Sequence, residues 1–266
     1  MSSDSIREGQ TGYVQAPELD GPVILDVPSP TADLQRGLED LNSHGCCILL
    51  NALDPNRVDE IRQLLDRQYA AEQALGALCP DRGNSNKQVL PNMVNKGSRF
   101  LDLIEDATTE SIASYLLGKN WLLSSLTAHL FVGTTTKAEL IHRDQGQIPA
   151  SIEFPALCNL FYLLDDFTPQ RGSTVVFPGS HRWPLSYRVH PPNPELGQQI
   201  NAPAGSLFVF DGRLWHGTGA NIEGHPRRAI SVFCCAPWVR QQQHACVSTA
   251  RDLFEQARPK LRARLG

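Results

Sequence analysis

The sequence lacks the features that mark membrane proteins, secreted proteins and nucleic-acid binders. It contains no run of about 18 apolar residues, the length that a membrane-spanning helix needs. The segment 1–8 is polar and has no apolar signal-peptide core. Its 24 Lys and Arg against 28 Asp and Glu give a formal net charge of −4, whereas nucleic-acid binders usually carry a basic surplus. We therefore expect a cytoplasmic protein that binds neither membrane nor nucleic acid.

The sequence also lacks a C-x-x-C pair, although it has 7 cysteines. The number is odd, and four of the cysteines are neighbours in two adjacent pairs, Cys46-Cys47 and Cys234-Cys235. Adjacent cysteines rarely bridge each other, so we predict reduced, packed thiols. The thiolate spacing of a structural zinc site is missing.

The 266 residues, of which 41% are hydrophobic, can bury one sizeable core. Residues 1–30 are rich in Pro, Gly, Ser and acidic side chains and are predicted to form an extended or flexible arm. Residues 31–266 are predicted to form a single catalytic domain. Within it we expect a helical part over about 31–120, a β core over about 121–240 and a helix over about 248–264.

The helical part shows recognisable starts and stops. Leu34, Leu38 and Leu41 recur at helical spacing up to His44-Gly45, and Asp54-Pro55 combines an N-cap with proline at the first helical position. Further helices are predicted over 98–106 and 108–117. The segment 78–96, with prolines and many amides, is interpreted as a loop, and plain connection and substrate lid are equally compatible with it.

The β core is indicated by short apolar runs between turn residues, a pattern typical of a sandwich or barrel. A short buried strand over 46–50 is also predicted. The runs of the β core are Trp121–Val132, Leu157–Leu164, Thr174–Phe177, Ser206–Phe210 and Arg227–Cys235.

His142, Asp144 and His216 are the candidate metal ligands. If residues 141–144 end a strand, positions i and i+2 face the same side, so His142 and Asp144 can bind one ion while Arg143 points away. His216 follows another predicted strand and turn, which can return it to the same pocket. Two imidazoles and one carboxylate suit Fe(II), and three protein ligands leave open positions, as in a catalytic site.

An arginine beyond the third ligand would suit a small dicarboxylate co-substrate, because a guanidinium binds a carboxylate bidentately. Arg227 and Arg228 both follow His216. Successive residues alternate on a strand, so only one of the two can face the pocket. Spacing alone leaves both open.

Six segments in order resemble the phytanoyl-CoA dioxygenase family of Fe(II)/2-oxoglutarate oxygenases, over roughly residues 30–240. The series is more specific than any one of its members. The segments are His142-Arg143-Asp144-Gln145, Leu163-Leu164-Asp165-Asp166-Phe167-Thr168, Gly172-Ser173-Thr174, Pro178-Gly179-Ser180-His181, Trp215-His216-Gly217-Thr218-Gly219-Ala220-Asn221 and Arg227-Arg228-Ala229-Ile230-Ser231.

The resemblance implies a mostly β fold with flanking helices, a double-stranded β-helix (jelly-roll or cupin barrel) packed against N-terminal helices. It implies Fe(II), 2-oxoglutarate and O2, with His142, Asp144 and His216 as iron ligands. It matches Arg227, which precedes a basic-Ala-Ile-Ser run, to the arginine that binds the distal carboxylate of 2-oxoglutarate. Further implied co-substrate contacts are Thr218, Thr174 and Asn159, with Gln88 and Thr127 as candidates for the 1-carboxylate.

The implied activity is oxidation, by default hydroxylation, of an unactivated C–H bond of a small organic metabolite, with release of succinate and CO2. A natural product fits better than a coenzyme A thioester, because no basic cluster suits the coenzyme A phosphates. Halogenating relatives lack the metal-bound carboxylate, so Asp144 argues against halogenation. Two alternatives are a non-catalytic cupin-like binding protein and a zinc hydrolase, and neither explains Arg227. A monomer or a homodimer is expected.

Overall fold

The computed structural model describes residues 12–13, 16–81, 84–138 and 140–266. Eight helices lie in the described part of the chain, and none of them is long and apolar enough to cross a membrane. They are α1 (Leu34–His44), α2 (Pro55–Ala74), α3 (Ser98–Ile104), α4 (Ala107–Leu117), α5 (Leu185–Arg188), α6 (Ala245–Ser248), α7 (Arg251–Gln256) and α8 (Pro259–Leu265).

Three of these helices begin at an aspartate N-cap. The Asp33, Asp54 and Asp106 carboxylates accept hydrogen bonds from the backbone N–H groups of the first turns of α1, α2 and α4. Helix α1 ends at Gly45, whose φ of 78° is the left-handed C-cap conformation that glycine adopts without a Cβ clash. Local sequence signals therefore set these boundaries, in agreement with the predictions for α1 and α2.

Ten strands form two antiparallel sheets within the described residues. The larger sheet has the order β1-β8-β5-β10-β4-β3-β2, and the smaller has the order β7-β6-β9. The strands are β1 (Cys46–Leu49), β2 (Cys79–Asp81), β3 (Asn84–Leu90), β4 (Leu122–Phe131), β5 (Leu157–Leu163), β6 (Thr174–Val176), β7 (Gln198–Gln199), β8 (Leu207–Asp211), β9 (His216–Thr218) and β10 (Arg227–Cys235).

Strand β10 lies in the middle of the larger sheet and pairs with both β4 and β5. Its residues alternate between the two faces of that sheet. Ile230 and Val232 belong to the core that the helices cover, whereas Ala229 packs in a second core that includes Val176 of the smaller sheet. The two sheets enclose a cavity, so the fold is the double-stranded β-helix that the sequence predicted.

The segment 78–96 was predicted to be a loop, and this prediction is wrong. It contains β2, β3 and a 3-10 turn over Met93–Asn95. Strand β3 pairs with β4, from Lys87 opposite Phe131 to Leu90 opposite Ala128. Backbone pairing with a strand about 40 residues away stabilises this polar stretch, and short-range hydrophobic periodicity does not reveal such a partner.

Two further boundaries differ from expectation. Residues 141–144 do not end a regular strand: His142 makes an isolated antiparallel bridge with His216, and Asp144 begins a 3-10 turn. The helix predicted over 248–264 is two helices, α7 and α8, because Pro259 begins a new helix at its N1 position.

The predicted N-terminal arm lies partly outside the described residues. Its residues 16–30 run without helix or strand along the smaller sheet, where Leu25 N–H donates to Pro178 O and the Trp183 indole donates to Val23 O. The cysteines are all free, and five of them are buried. Free and mostly buried cysteines agree with the prediction of reduced, packed thiols. Burial raises the pKa of the Cys46, Cys47 and Cys235 thiols, which therefore stay protonated near pH 7.

Candidate metal and co-substrate site

His142, Asp144 and His216 lie together in a cavity of about 320 Å³ between the two sheets. One ligand atom from each residue falls within 4.8 Å of those of the other two. Within the described part of the chain, no other group of three His, Cys, Asp or Glu side chains is so arranged. The structure thus brings together the three residues that the sequence singled out.

Backbone pairing places the two histidines side by side. His142 N–H donates to His216 O and His216 N–H donates to His142 O, at 2.8 and 2.9 Å. The two rings therefore lie with centroids 4.4 Å apart. The 3-10 turn that begins at Asp144 is tied to the same place, because Gln145 N–H donates to Gly212 O at 2.7 Å.

Hydrogen bonds orient both imidazoles toward the carboxylate. His142 Nδ1 lies 3.1 Å from Leu140 O, and His216 Nδ1 lies 3.0 Å from Leu214 O. Because a carbonyl oxygen only accepts, each Nδ1 carries a hydrogen, and this hydrogen bond directs each Nε2 toward the Asp144 carboxylate. Both Nε2 atoms are 3.6 Å from Asp144 Oδ1. Three donor atoms thus face one point, which is the arrangement a metal ion needs.

The Asp144 carboxylate is held in its charged form. Burial alone would raise its pKa, but His216, His142 and a hydrogen bond from Asn159 together hold the pKa below its usual range. Asn159 Nδ2 donates to Asp144 Oδ2 at 3.2 Å, and Asn159 Oδ1 accepts a hydrogen bond from Ser231 at 2.6 Å. Asn159 was predicted to contact the co-substrate, whereas its amide here orients the candidate metal ligand.

Arg227 and Arg228 point to opposite faces of β10. Arg227 is buried, lines the cavity, lies over the rings of Phe131 and Phe167, and donates to Gly172 O. Arg228 lies outside the cavity and pairs with Asp165 and Asp66 at 2.8 and 2.7 Å. Of the two arginines that the spacing left open, the pocket therefore holds Arg227.

Lys87 is a cavity residue that the sequence reasoning missed. Its buried Nζ lies 3.2 Å from Thr218 Oγ1 and 2.6 Å from an oxygen of Asp81. Thr218 pairs with Thr174 across β9 and β6, and both threonines line the cavity. The alternation of Lys87 and Val89, which both line the cavity, could have indicated a strand with Lys87 facing inward. It lay, however, in the segment that was interpreted as a loop.

Gln88 does not reach the cavity, so its predicted co-substrate contact is wrong. It follows Lys87 on β3 and faces the other side, where Nε2 donates to Ser85 O at 2.7 Å. Thr127 does line the cavity, and its hydroxyl lies 3.1 Å from His129 Nε2. Burial and then Lys87 lower the pKa of His129 to about 4, so His129 is a neutral pocket residue near pH 7.

His181 has a structural environment. It is fully buried outside the cavity, and Nε2 donates to Asn42 O at 3.1 Å. Burial lowers its pKa to about 3. His181 therefore belongs to the structural turn at Pro178-Gly179-Ser180-His181 and is not a candidate metal ligand.

The cavity therefore has two chemically distinct parts. One part offers two imidazoles and a carboxylate to a cation. The other offers a buried guanidinium, an ammonium and two hydroxyls to an anion, although Asp81 partly offsets the charge of Lys87. A ligand that chelates a metal at one end and carries a carboxylate at the other would match both parts.

Comparison with known proteins agrees with this arrangement. Dioxygenase af480 of Aspergillus fumigatus is 27% identical over 262 residues, which cover 92% of this chain and 84% of that protein. The uncharacterized protein Rv1501 of Mycobacterium tuberculosis is 36% identical over 215 residues, which cover 76% of this chain and 75% of that protein.

A solved structure, the epimerase SnoN in complex with Fe3+, alpha ketoglutarate and nogalamycin RO, has the same fold. It has a TM-score of 0.62 and 17% identity, and the match covers 85% of this chain and 90% of that one. The family model of phytanoyl-CoA dioxygenase (PhyH) matches residues 41–229, which include all three candidate metal ligands. With that match and these relatives, the chain belongs to the phytanoyl-CoA dioxygenase (PhyH) family.

Proposed function

We propose that the protein is an Fe(II)- and 2-oxoglutarate-dependent oxygenase that hydroxylates an unactivated C–H bond of a small organic metabolite. The observation that carries the proposal is the single cavity in which His142, Asp144 and His216 face a metal position while Arg227 lies buried in the same space. The PhyH family match and the dioxygenase names of several relatives support it.

The donor set fits Fe(II). Two neutral imidazoles and one carboxylate are the ligands of non-haem Fe(II) oxygenases, and they leave several coordination positions open. The hydrogen bonds from each Nδ1 to a carbonyl, and from Asn159 to Asp144, fix the ligands before the metal binds. His142, Asp144 and His216 would therefore hold the iron.

The far part of the cavity fits the distal carboxylate of 2-oxoglutarate. Arg227 would supply a charge-assisted, two-pronged contact that an ammonium cannot replace. Thr218 and Lys87, which already contact each other, would donate further hydrogen bonds, and Thr174 lies opposite Thr218 on the neighbouring strand. Together these residues would hold the distal carboxylate at the end of the cavity away from the three candidate metal ligands.

With iron, 2-oxoglutarate and O2 bound, the site would supply an oxidant strong enough to remove hydrogen from an unactivated carbon, with succinate and CO2 as co-products. The residues of this chain would bind the metal and the co-substrate, orient them and exclude water from the cavity. Phe161 and Phe210 line the cavity, and the centroids of the Phe210 and His216 rings lie 4.4 Å apart. Asp144 occupies the position that a halogenating enzyme keeps for halide, which favours oxygenation over halogenation.

We assign the substrate to natural-product metabolites. SnoN is described as an epimerase from nogalamycin biosynthesis, and fungal relatives are named dioxygenases. Besides Lys87 and Arg227, no lysine or arginine lines the described part of the cavity, so the polyanionic head of a coenzyme A thioester finds no matching charge there.

Anaerobic titration tests the proposal. Fe(II) and 2-oxoglutarate together should give a weak visible charge-transfer band that neither gives alone, and admission of air should release succinate. Arg228→Ala, outside the cavity, is the matched control and should retain both signals. If wild-type protein shows neither the band nor succinate, the protein is not a 2-oxoglutarate oxygenase.

A further inference from the structure

Three large apolar side chains are exposed on the cavity lining or on segments that are joined to cavity residues. Leu140, which itself lines the cavity, is 64% exposed, Phe154 is 51% exposed and Trp238 is 59% exposed. The rings of Phe154 and Trp238 form a T-shaped contact, with centroids 6.2 Å apart and an interplanar angle of 76°. Single exposed apolar residues are common, but a paired aromatic surface next to a catalytic cavity usually binds something.

Phe154 is fixed to the metal-binding turn. Gln145, the residue after Asp144, is buried, and its Nε2 donates to Phe154 O at 3.2 Å. The Oε1 of the same amide accepts from Ala156 N–H at 2.9 Å. The backbone that carries the Phe154 ring is therefore held in place by Gln145, the residue next to the candidate metal ligand Asp144.

Trp238 lies in the turn between two cavity residues, Phe233 and Gln242. Ala236 N–H donates to Ala156 O, and Val239 N–H donates to Ala236 O, each at 2.9 Å. These bonds join the turn that carries Trp238 to the segment that carries Phe154. Val239 also packs against the small apolar cluster that contains Phe233.

A polar pair lies on the cavity lining where the turn that carries Trp238 ends at Gln242. Ser125 is opposite Phe233 in the β4–β10 register, and its hydroxyl donates to Gln242 Oε1 at 3.3 Å. Both residues line the cavity. Among the described contacts the Nε2 of Gln242 has no acceptor, so it can donate to an oxygen of a bound molecule.

We propose that the substrate is a ring-containing, largely apolar molecule with at least one hydroxyl or carbonyl group. Its ring system packs on Phe154, Trp238 and Leu140, and its oxygen is recognised by Ser125 and Gln242. This assignment rests on the proposed oxygenase function and names the substrate class of the same site. Aromatic faces favour flat ring systems through stacking and edge-to-face contacts, whereas an acyclic polar substrate gains little from them.

The aromatic surface can be tested by direct binding, without turnover. N-phenyl-1-naphthylamine is an uncharged bicyclic probe that fluoresces in apolar surroundings. We expect Trp238→Ala and Phe154→Ala each to weaken its binding to the metal-free protein by about fivefold. Trp238→Phe keeps a ring and should restore most of the affinity.

Leu75→Ala is the matched control, because Leu75 is 81% exposed at the end of α2 and outside the cavity lining. Its affinity for the probe should equal that of the wild type. Quenching gives a second reading: Trp238 is exposed whereas Trp121, Trp183 and Trp215 are buried, so acrylamide should quench mainly Trp238. Bound probe should reduce that quenching about twofold.

Equal probe affinity in wild type, Trp238→Ala and Phe154→Ala would overturn the assignment, as would an equal loss in Leu75→Ala. The binding measurement contains no iron and no 2-oxoglutarate. A failure of the oxygenase proposal in the succinate assay is therefore separate from a failure here.

Discussion

Asp144 and Asp211 are two largely buried carboxylates with different surroundings. Burial raises the pKa of each, and in both cases the neighbours more than offset it and hold the pKa below its usual range. Around Asp144 the neighbours are two imidazoles and an amide. Around Asp211 the main neighbour is Arg213, whose Nη2 lies 2.6 Å from Oδ2.

This difference distinguishes a candidate metal-binding carboxylate from one in a structural ion pair. The charge of Asp211 is already matched by a guanidinium, which also contacts Tyr13 and Glu153 O, so a cation would gain nothing there. The charge of Asp144 is matched by two imidazoles, whose ring nitrogens can bind either a proton or a metal ion. A buried carboxylate whose partners are imidazoles can therefore join a metal site, whereas one paired with a guanidinium cannot.

Asp144→Ala should have the largest effect among the substitutions that test this comparison. It removes the only anionic ligand, so we expect metal affinity to fall by more than about a hundredfold and turnover to be lost. Anaerobic Fe(II) titration and succinate release measure the two effects. The free energy of unfolding of the metal-free protein should stay within about 1 kcal/mol of wild type, because no ion pair with a guanidinium is broken. Retained iron binding would show that Asp144 is not a ligand.

Asp211→Asn should act on stability instead. It leaves the Arg213 guanidinium buried without its counter-charge, which costs about 3–5 kcal/mol in the free energy of unfolding. Urea denaturation of the metal-free protein measures this loss. The folded variant should still bind Fe(II). A loss of less than about 1 kcal/mol would mean that the Asp211–Arg213 ion pair does not stabilise the fold.

The Asp211 effect should depend on pH in a defined direction. Because the folded pKa of Asp211 lies below its unfolded value of about 3.9, its contribution is complete above that pH. It is lost as the pH falls through the folded pKa. The difference in unfolding free energy between wild type and Asp211→Asn should therefore narrow below about pH 4 and be constant above about pH 5.

Arg227→Ala and Arg228→Ala test the two faces of one strand. Loss of a charge-assisted contact of about 2–3 kcal/mol should raise the KM for 2-oxoglutarate by roughly 30–150-fold in Arg227→Ala. Arg228→Ala removes ion pairs outside the cavity, so its KM should stay within about twofold of wild type. Its stability should fall by about 1.5–3 kcal/mol, because the two-pronged pair with Asp165 is largely buried. The reverse result would place the co-substrate on the other face of β10.

Asn159→Ala should change metal affinity less than Asp144→Ala does. Its amide orients Asp144 without being a ligand, so metal affinity should weaken by about tenfold. Ser231→Ala, one hydrogen bond further away, should weaken it less. If Asn159→Ala instead changes only the KM for 2-oxoglutarate, the amide contacts the co-substrate, as the sequence resemblance implied.

The sequence predicted those parts of the fold that local signals encode. Asp54-Pro55 marked the start of α2, and the apolar runs marked β4, β5 and β10. It failed for β3, whose polar residues are held by backbone pairing with β4. Propensity and periodicity describe a strand's own residues, whereas this strand is defined by its distant partner.

The same limit applies to the candidate site. The metal triad and Arg227 stand out by residue type and order, so sequence reasoning brought them together. Lys87 and Gln88 are successive residues of β3, so their side chains point to opposite faces of the sheet and only Lys87 lines the cavity. Because β3 was not predicted, Lys87 was missed and Gln88 was chosen in its place. The argument from strand alternation grouped His142 with Asp144, as the structure does, but through an incorrect local structure, since Asp144 begins a 3-10 turn.

The central position of β10 has a consequence for synthesis. This strand is the last of the ten in chain order, yet it separates β4 from β5 in the larger sheet. While the ribosome has not yet released residues 227–235, the two neighbouring strands have exposed edges and lack their shared partner. Closure of the barrel must therefore wait until residues 227–235 have left the ribosome, and until then these unpaired edges are the segments that a chaperone would need to shield from aggregation.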